Sequence, residues 1–274
     1  MTIEQKWERL TSLLRDMQKA VLAYSGGVDS SLLLAAAAEV MGKGLIAVTA
    51  VSGTYPASEL ASAGEFARSH NTRLTVITTG ELENDAYARN TADRCYYCKK
   101  ELFAKLRDVA DAEGISFLIE GSNTDDLKDY RPGRKAVQEF GVRSPLIEAD
   151  LTKKEIRDLA RRHHLPVWDK PSLACLSSRI PYGTRITVDV LHTVQAAEDC
   201  LRVLGFKQVR VRHQGDTARV EVDRADFERV LKDDVPERIV TALKELGYTY
   251  VCLDLAGYRT GSMNEVLQKE RMHR

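Results

Sequence analysis

The run Ala23-Tyr24-Ser25-Gly26-Gly27-Val28-Asp29-Ser30-Ser31 lies between an apolar strand-like segment, Lys19 to Leu22, and an apolar helix-like one, Leu32 to Met41. A short glycine-rich turn from strand to helix presents backbone N–H groups to a bound anion, and the helix dipole reinforces the attraction. Ser25, Ser30 and Ser31 add hydroxyl donors within reach of phosphate oxygens. Asp29 sits well beside phosphates when a divalent cation lies between them, and Mg²⁺ is the usual one. The turn contains no G-x-x-x-x-G-K-[ST] pattern and no lysine, so it is not a Walker loop. The plainer reading is a strand–turn–helix whose small residues serve packing.

The first half of the chain alternates strand and helix patterns. Strands are expected at Ala20–Tyr24, Leu45–Val51, Arg73–Thr78 and Ser116–Glu120, and helices at Asp29–Met41, Ala57–His70, Tyr97–Glu113 and Thr152–His164. This alternation predicts an α/β fold with a doubly wound, mainly parallel sheet and ligands at the carboxyl ends of its strands. Thr152-x-x-Glu155 has the form of a capping box. The loop-rich stretch with Pro171, Pro181 and Gly183 reads as a hinge. Beyond it, a helix at Val190–Leu204, strands at Gln208–His213 and Ala218–Val222 split by Gly215-Asp216, a helix near Pro236–Leu246 and a strand near Tyr248–Leu255 form a smaller α+β unit. The expected domains are therefore residues 1–170, a hinge at 171–187 carrying Cys175, and 188–274.

Forty basic and forty acidic residues cancel, so no global field favours nucleic acid or a membrane surface, and any anion site must be local. The N-terminal segment lacks a signal-peptide pattern, and the longest apolar stretch, Leu32 to Ala38, is too short to span a bilayer. A cytoplasmic protein is expected. Its five cysteines are then not a disulfide framework. Cys200 and Cys252 fall in helix and strand patterns as small buried hydrophobes. Cys95 and Cys98 lie among Asp93, Arg94, Lys99 and Lys100, and Cys175 lies in the loop-rich stretch.

After the strand ending at Glu120 come Gly121-Ser122-Asn123-Thr124-Asp125-Asp126 and Asp129 to Gly133. A glycine at a strand end allows close backbone approach to a ligand, and clustered carboxylates such as Asp125 suit Mg²⁺. Together with the first loop, these segments resemble the N-type ATP-pyrophosphatase (PP-loop) superfamily. Within it, Arg94 to Lys100, Asp129 to Gly133, Lys170 to Gly183, Val209 to His213 and Leu255 to Gly261 are similar to the LarE family, the sulfur-inserting enzymes of nickel-pincer nucleotide biosynthesis.

The resemblance implies an ATP-dependent sulfurtransferase acting on a small-molecule nucleotide, pyridinium-3,5-biscarboxylic acid mononucleotide. ATP adenylylates a carboxylate and releases pyrophosphate; sulfur then displaces AMP. ATP and Mg²⁺ would bind at Ser25, Gly26, Gly27, Asp29, Ser30, Ser31, Gly121 and Asp125, with Asp29, Ser30 and Cys175 in catalytic roles. Cys95, Cys98 and Cys175 look like the three-cysteine variant that carries a [4Fe-4S] cluster, whose fourth iron is left to bind a transferable sulfur. A redox dithiol, a zinc site and a sacrificial Cys175 without a cluster remain alternatives. Ser178, Arg179, Arg210, Arg212 and Arg259 are candidates for substrate phosphate and carboxylates; a solvated arginine stripe is the other reading. In the resembling enzymes Glu198 and Glu221 match positions linked to a divalent cation. A homo-oligomer is expected, with sulfide or a sulfur-donor protein as a further partner. The rival function is tRNA thiolation, against which stand the balanced charge and the lack of a basic, aromatic-interleaved segment. A non-catalytic nucleotide module and an amide-forming synthetase are further alternatives.

Overall fold

Strand β1 (Ala20–Ala23) is apolar on both faces and so requires cover on both. The computed structural model describes residues 1–52, 57–128, 132–171, 175–259 and 261–266; the expected motif positions 129–131, 172–174 and 260 lie outside the described residues. Helix α1 (Ile3–Met17) precedes β1, and α2 (Val28–Met41), β2 (Leu45–Val51), α3 (Ala57–Ser69), β3 (Arg73–Thr78), α4 (Asp85–Ala88), α5 (Arg94–Ala112) and β4 (Phe117–Glu120) follow. Helices α6 (Gly133–Glu139), α7 (Pro145–Glu148) and α8 (Lys153–Arg162) come next. The four strands form a parallel sheet in the order β3-β2-β1-β4.

Alternate residues of the strands feed two cores, as the period of two requires. Ala20 and Leu22 pack with Leu10 and Leu14 of α1, Leu33 of α2 and Ile156 of α8. Val21 enters the other core with Phe103 and Leu106 of α5. Leu10, Leu14, Leu22 and Phe103 are fully buried, each worth about 1.5–3 kcal/mol relative to exposure. Helix α2 buries residues around most of its circumference because α1, α8 and the sheet enclose it. The Thr152 capping box forms: Glu155 N–H donates to Thr152 Oγ1 (3.3 Å) and Thr152 N–H to Glu155 Oε2 (2.9 Å).

The chain divides into two compact units, Met1–Glu81 with Cys95–Ser172, and Leu82–Arg94 with Leu173–Arg274. The sequence reading kept 82–94 inside an unbroken first domain; packing assigns it to the second unit. Buried Asn90 explains the assignment, because its side-chain amide donates to Ile180 O (3.2 Å) and Pro181 O (2.8 Å). Ile186 N–H donates to Ala88 O as well (2.8 Å). Such side-chain-to-backbone ties leave no periodic trace in a sequence.

In the second unit, α9 (Val188–Val203) precedes β5 (Val209–Gln214) and β6 (Thr217–Val222), followed by α10 (Phe227–Val230), α11 (Val235–Glu245) and β7 (Tyr250–Leu253). β5 and β6 are antiparallel about Gly215-Asp216, with Gly215 at φ +64°; β7 joins β6 in parallel. Val209, Val211, Ala218, Val220 and Val222 pack with Ala197 and Leu201 of α9 and Leu243 of α11. Cys252 is exposed on the outer strand β7 and Cys200 half-buried, so neither is the fully buried hydrophobe expected.

Tyr248 Oη lies 3.1 Å from His213 Nδ1, and burial pushes the phenol up to about 12 and the imidazole below its ordinary 6.5. A histidine with a depressed folded-state value stabilises the fold above its unfolded value, and that contribution is lost as pH falls through the folded value. The melting temperature should therefore fall on acidification below about pH 6.5, with a shallower fall in His213→Gln. An unchanged slope in that variant would remove His213 from the account.

Candidate active site

The sheet order places β1 and β4 side by side, with the chain leaving β1 toward β2 and returning to β4 on the opposite flank. That change of direction is where open α/β sheets bind ligands, outside the carboxyl ends of the strands. Ala23 pairs with Glu120, so the turn after β1 and the turn after β4 emerge level. Gly121 is the contact between them. A Cβ there would lie 3.0 Å from Ser30 N and 3.1 Å from Ser30 Cα, both backbone atoms that cannot move aside.

Tyr24 is fixed to β2 by Tyr24 N–H donating to Val48 O (2.9 Å) and Thr49 Oγ1 donating to Tyr24 O (2.9 Å). Gly26 takes φ +71°, and Gly27 starts α2 with no side-chain cap. The first turn of α2 thus offers backbone N–H groups of the kind that cradle phosphates. Ser30 Oγ donates to Gly27 O (3.1 Å) and lies 3.1 Å from Ser25 Oγ, which binds the loop's two ends together. Ser31 departs from the sequence reading. It is fully buried, and its hydroxyl meets Tyr24 Oη at 3.2 Å, because one further residue along the helix turns it toward the core.

Asp29 accepts a hydrogen bond from Lys153 Nζ at 2.5 Å through Oδ2, while its Oδ1 is buried with no hydrogen-bond partner among the described residues. Burial pushes the carboxyl above its ordinary 3.8, and Lys153 works against the rise. Asp125 binds the same residue: its Oδ2 accepts from Lys153 N–H (2.9 Å). Lys153, at the start of α8, therefore binds both predicted aspartates, Asp29 through its Nζ and Asp125 through its backbone N–H. Hard carboxylate oxygens beside an anion cradle, one of them buried and unsatisfied, fit Mg²⁺ carried by a nucleotide. Lys153 was not predicted.

Glu120, at the end of β4, is buried. It accepts from Lys99 Nζ (3.1 Å), Ser122 Oγ (2.8 Å) and Ser144 Oγ (2.6 Å). Burial alone would raise its carboxyl, but Lys99 and the serines hold it below the usual 4.5. Lys99 follows Cys98 in the first turns of α5, so this pair anchors the helix that carries Cys95 and Cys98 to the switch point. α5 begins three residues earlier than expected, and both cysteines, three apart, stand on one helical face. Cys95 is exposed and Cys98 half-buried.

Cys175 belongs to the second unit, exposed at the head of the short turn Leu176–Arg179, with Tyr87 Oη 4.0 Å from its sulfur. Tyr87 Oη also meets Ser177 Oγ at 2.6 Å. Tyr87 was not predicted, and no sequence pattern marks it. Arg179 donates to both oxygens of Glu198 (2.7 and 2.9 Å), to Cys175 O (3.0 Å) and to Ser178 Oγ (3.1 Å). Arg212 donates to both oxygens of Glu221 (2.9 and 2.6 Å) and to Ser178 O (3.1 Å). Arg210 lies over the Tyr258 ring, and burial beside Arg179 lowers its guanidinium to about 10. Arg259 pairs with Glu265 at 3.2 Å and with Asp254 at 3.9 Å, and Asp254 also pairs with Arg219 at 3.3 Å.

Arg210 and Arg212 share one strand face, as expected, but are 4% and 5% exposed, so they form a buried cluster and not a solvated stripe. Glu198 and Glu221 are fully buried. Arg202 also reaches Glu198 (2.8 Å), and Arg219 reaches Glu221 (3.3 Å). With guanidinium groups on both carboxylates, this pair does not fit a divalent cation. Among the described residues no group of three or more His, Cys, Asp or Glu is set to hold a metal ion.

Parallel-sheet order, switch-point loop and acidic partner define a nucleotide-binding α/β protein of the PP-loop class. No family model matches the chain. It is 42% identical over 267 residues to the uncharacterized protein slr1717 of Synechocystis, covering 97% of this chain and 100% of that one. It is 39% identical over 272 residues to the pyridinium-3,5-bisthiocarboxylic acid mononucleotide synthase of Lactiplantibacillus plantarum, covering 99% and 98%. Argininosuccinate synthase of Pyrococcus furiosus is 28% identical over 171 residues, 56% of this chain and 40% of that protein. The chain belongs to the LarE family of PP-loop sulfurtransferases and is an enzyme. Among the described residues, no helix is long and apolar enough to cross a membrane.

Asp29 must be ionised to hold a cation, and Lys153 is the chief group lowering its proton affinity. Replacing Lys153 by Met should move the acid limb of Mg²⁺-dependent ATP binding to higher pH. Coincident limbs for wild type and Lys153→Met, measured by titration calorimetry, would show that the contact does not tune Asp29.

Proposed function

We propose that this enzyme adenylylates the carboxylates of pyridinium-3,5-biscarboxylic acid mononucleotide with ATP, releases pyrophosphate, and replaces AMP with sulfur. The observation that carries the reading is the buried, unsatisfied Oδ1 of Asp29 beside an anion cradle at the sheet's switch point. Support for the substrate is the family relation to a synthase whose name specifies the bisthiocarboxylic product.

In the first half-reaction a substrate carboxylate oxygen attacks the α-phosphorus of ATP, and the bond to the β-phosphate oxygen breaks. The loop amides from Gly26 to Ser30 hold the departing pyrophosphate. Asp29 would hold Mg²⁺ through its buried oxygen, and the cation neutralises charge on the phosphates. Lys153 is in position to follow that charge once the cation takes over Asp29. The product is an acyl-adenylate, whose AMP leaves far more readily than the oxide of a carboxylate. In the second half-reaction a sulfur nucleophile attacks the acyl carbon and AMP departs with the bonding pair, leaving a thiocarboxylate. Repetition at the second carboxylate completes the product.

Cys95, Cys98 and Cys175 would hold a [4Fe-4S] cluster, whose chemistry is to present a hydrosulfide on the iron not bound by protein. Two soft thiol ligands one helical turn apart on α5 suit such a group. Arg179, Arg210 and Arg212, with Ser178, would supply buried positive charge and a hydroxyl for the substrate phosphate. Arginines outnumber carboxylates in that cluster, which favours a bound anion.

The test is anaerobic turnover with ATP, Mg²⁺, substrate and sulfide, following pyrophosphate and product mass. Asp29→Asn should lose pyrophosphate release by at least about a hundredfold. Cys175→Ala should keep the release and yield no thiocarboxylate. Iron bound by wild type and lost in each of the three cysteine variants would support the cluster; a wild-type chain that turns over without iron and loses sulfur from Cys175 would replace it with a sacrificial donor. Normal pyrophosphate release by Asp29→Asn would overturn the proposed first half-reaction.

A further inference from the structure

The strand-to-helix loop is braced from beneath by a residue that none of the chemistry above uses. Lys170 Nζ donates to Gly26 O at 3.1 Å and to Glu59 Oε2, on α3, at 2.7 Å. In a trans peptide the C=O and the following N–H point in opposite directions. Fixing Gly26 O on Lys170 therefore aims Gly27 N–H away from Lys170, toward the side where the first turn of α2 offers its donors. Gly27 N–H otherwise meets Ser25 Oγ at 3.5 Å, the outer limit of a hydrogen bond. Gly26 is held at φ +71°, a conformation open to several ψ values in glycine, so an external contact is what selects one peptide orientation.

Lys170 is itself held in place. Arg157 of α8 donates to Trp168 O (2.8 Å) and to Lys170 O (2.9 Å), fixing the backbone on either side of Asp169. One helix and the strap that follows it thus reach the loop twice, through Lys153 at Asp29 and through Lys170 at Gly26.

We infer that Lys170 is a positioning residue, which orients the Gly26–Gly27 peptide so that Gly27 N–H faces the pyrophosphate portion of ATP. The inference rests on the proposed nucleotide reading of the loop. Its test compares Lys170→Met, Lys170→Arg and Glu59→Gln in the full chain, with steady-state pyrophosphate release at varied ATP and varied mononucleotide. Lys170→Met should raise the KM for ATP by roughly tenfold, the loss of one charge-assisted hydrogen bond, and leave the KM for the mononucleotide unchanged. Lys170→Arg, which keeps a donor for Gly26 O, should restore the KM for ATP to within about threefold, and Glu59→Gln should stay in the same range because the loop contact survives.

Equal rises in both KM values, or a Glu59→Gln effect as large as that of Lys170→Met, would assign Lys170 a general stabilising role and overturn the inference. So would wild-type kinetics in Lys170→Met. Should Lys170→Met fail to fold, the decision falls to the Arg and Gln variants: a tenfold rise in either contradicts the inference, and its absence in both upholds it. Failure of the wild-type chain to bind ATP would instead overturn the nucleotide reading and this inference with it.

Discussion

The level pairing of Ala23 with Glu120 is the constraint on which the first unit's site depends. Two parallel strands ending together bring a glycine-rich turn and an acidic turn to one crevice, and Gly121 lets their backbones touch. Everything charged in the crevice follows from that approach. Asp29 is half-buried where β4 and its loop lie against the first turn of α2, and its Oδ1, itself buried, is left without a hydrogen-bond partner among the described residues. Lys153 supplies a counter-charge to one side of it, and the other side is where the proposed nucleotide-borne cation would sit.

The second unit solves a different electrostatic problem. Five arginines gather around the fully buried Glu198 and Glu221: Arg179, Arg210 and Arg212 are buried, and Arg202 and Arg219 are half-buried. Buried charges persist only when paired and hydrogen-bonded, and removing one member of such a pair costs about 3–5 kcal/mol. The glutamates are thus what allows the arginines to be inside at all. Glu198 also accepts from Val211 N–H (3.2 Å) on the outer strand β5, satisfying a backbone donor that no neighbouring strand can take. A cluster held this way keeps an excess of positive charge, in line with the anionic substrate proposed for it.

Much of the first unit was legible in the sequence because its information is local. The runs at Leu45–Val51 and Arg73–Thr78 became strands with those bounds, and the Thr152 capping box formed as its spacing required. The strand–Gly-Gly–helix context located the loop without knowledge of the fold. Long-range polar contacts were not legible. Lys153 lies 124 residues from Asp29, and nothing in either segment announces the pairing. Tyr87 and Asn90 bind the hinge through hydroxyl and amide groups that carry no periodicity. Ser31 looked like a ligand group by adjacency to Ser30, yet the helical rotation between neighbours sends it into the core. Glu198 and Glu221 matched cation-linked positions by resemblance; the bidentate partners that occupy them instead, Arg179 and Arg212, lie on other elements.

The central claim is that the loop at Ser25–Ser30 activates a carboxylate by transferring AMP to it with loss of pyrophosphate. Exchange of labelled pyrophosphate into ATP tests this most directly, because it reports the reversible first half-reaction without any sulfur donor. The account predicts exchange that requires Mg²⁺ and pyridinium-3,5-biscarboxylic acid mononucleotide together. Consumption of ATP to ADP and phosphate, or the absence of exchange under conditions where the mononucleotide binds, would contradict it.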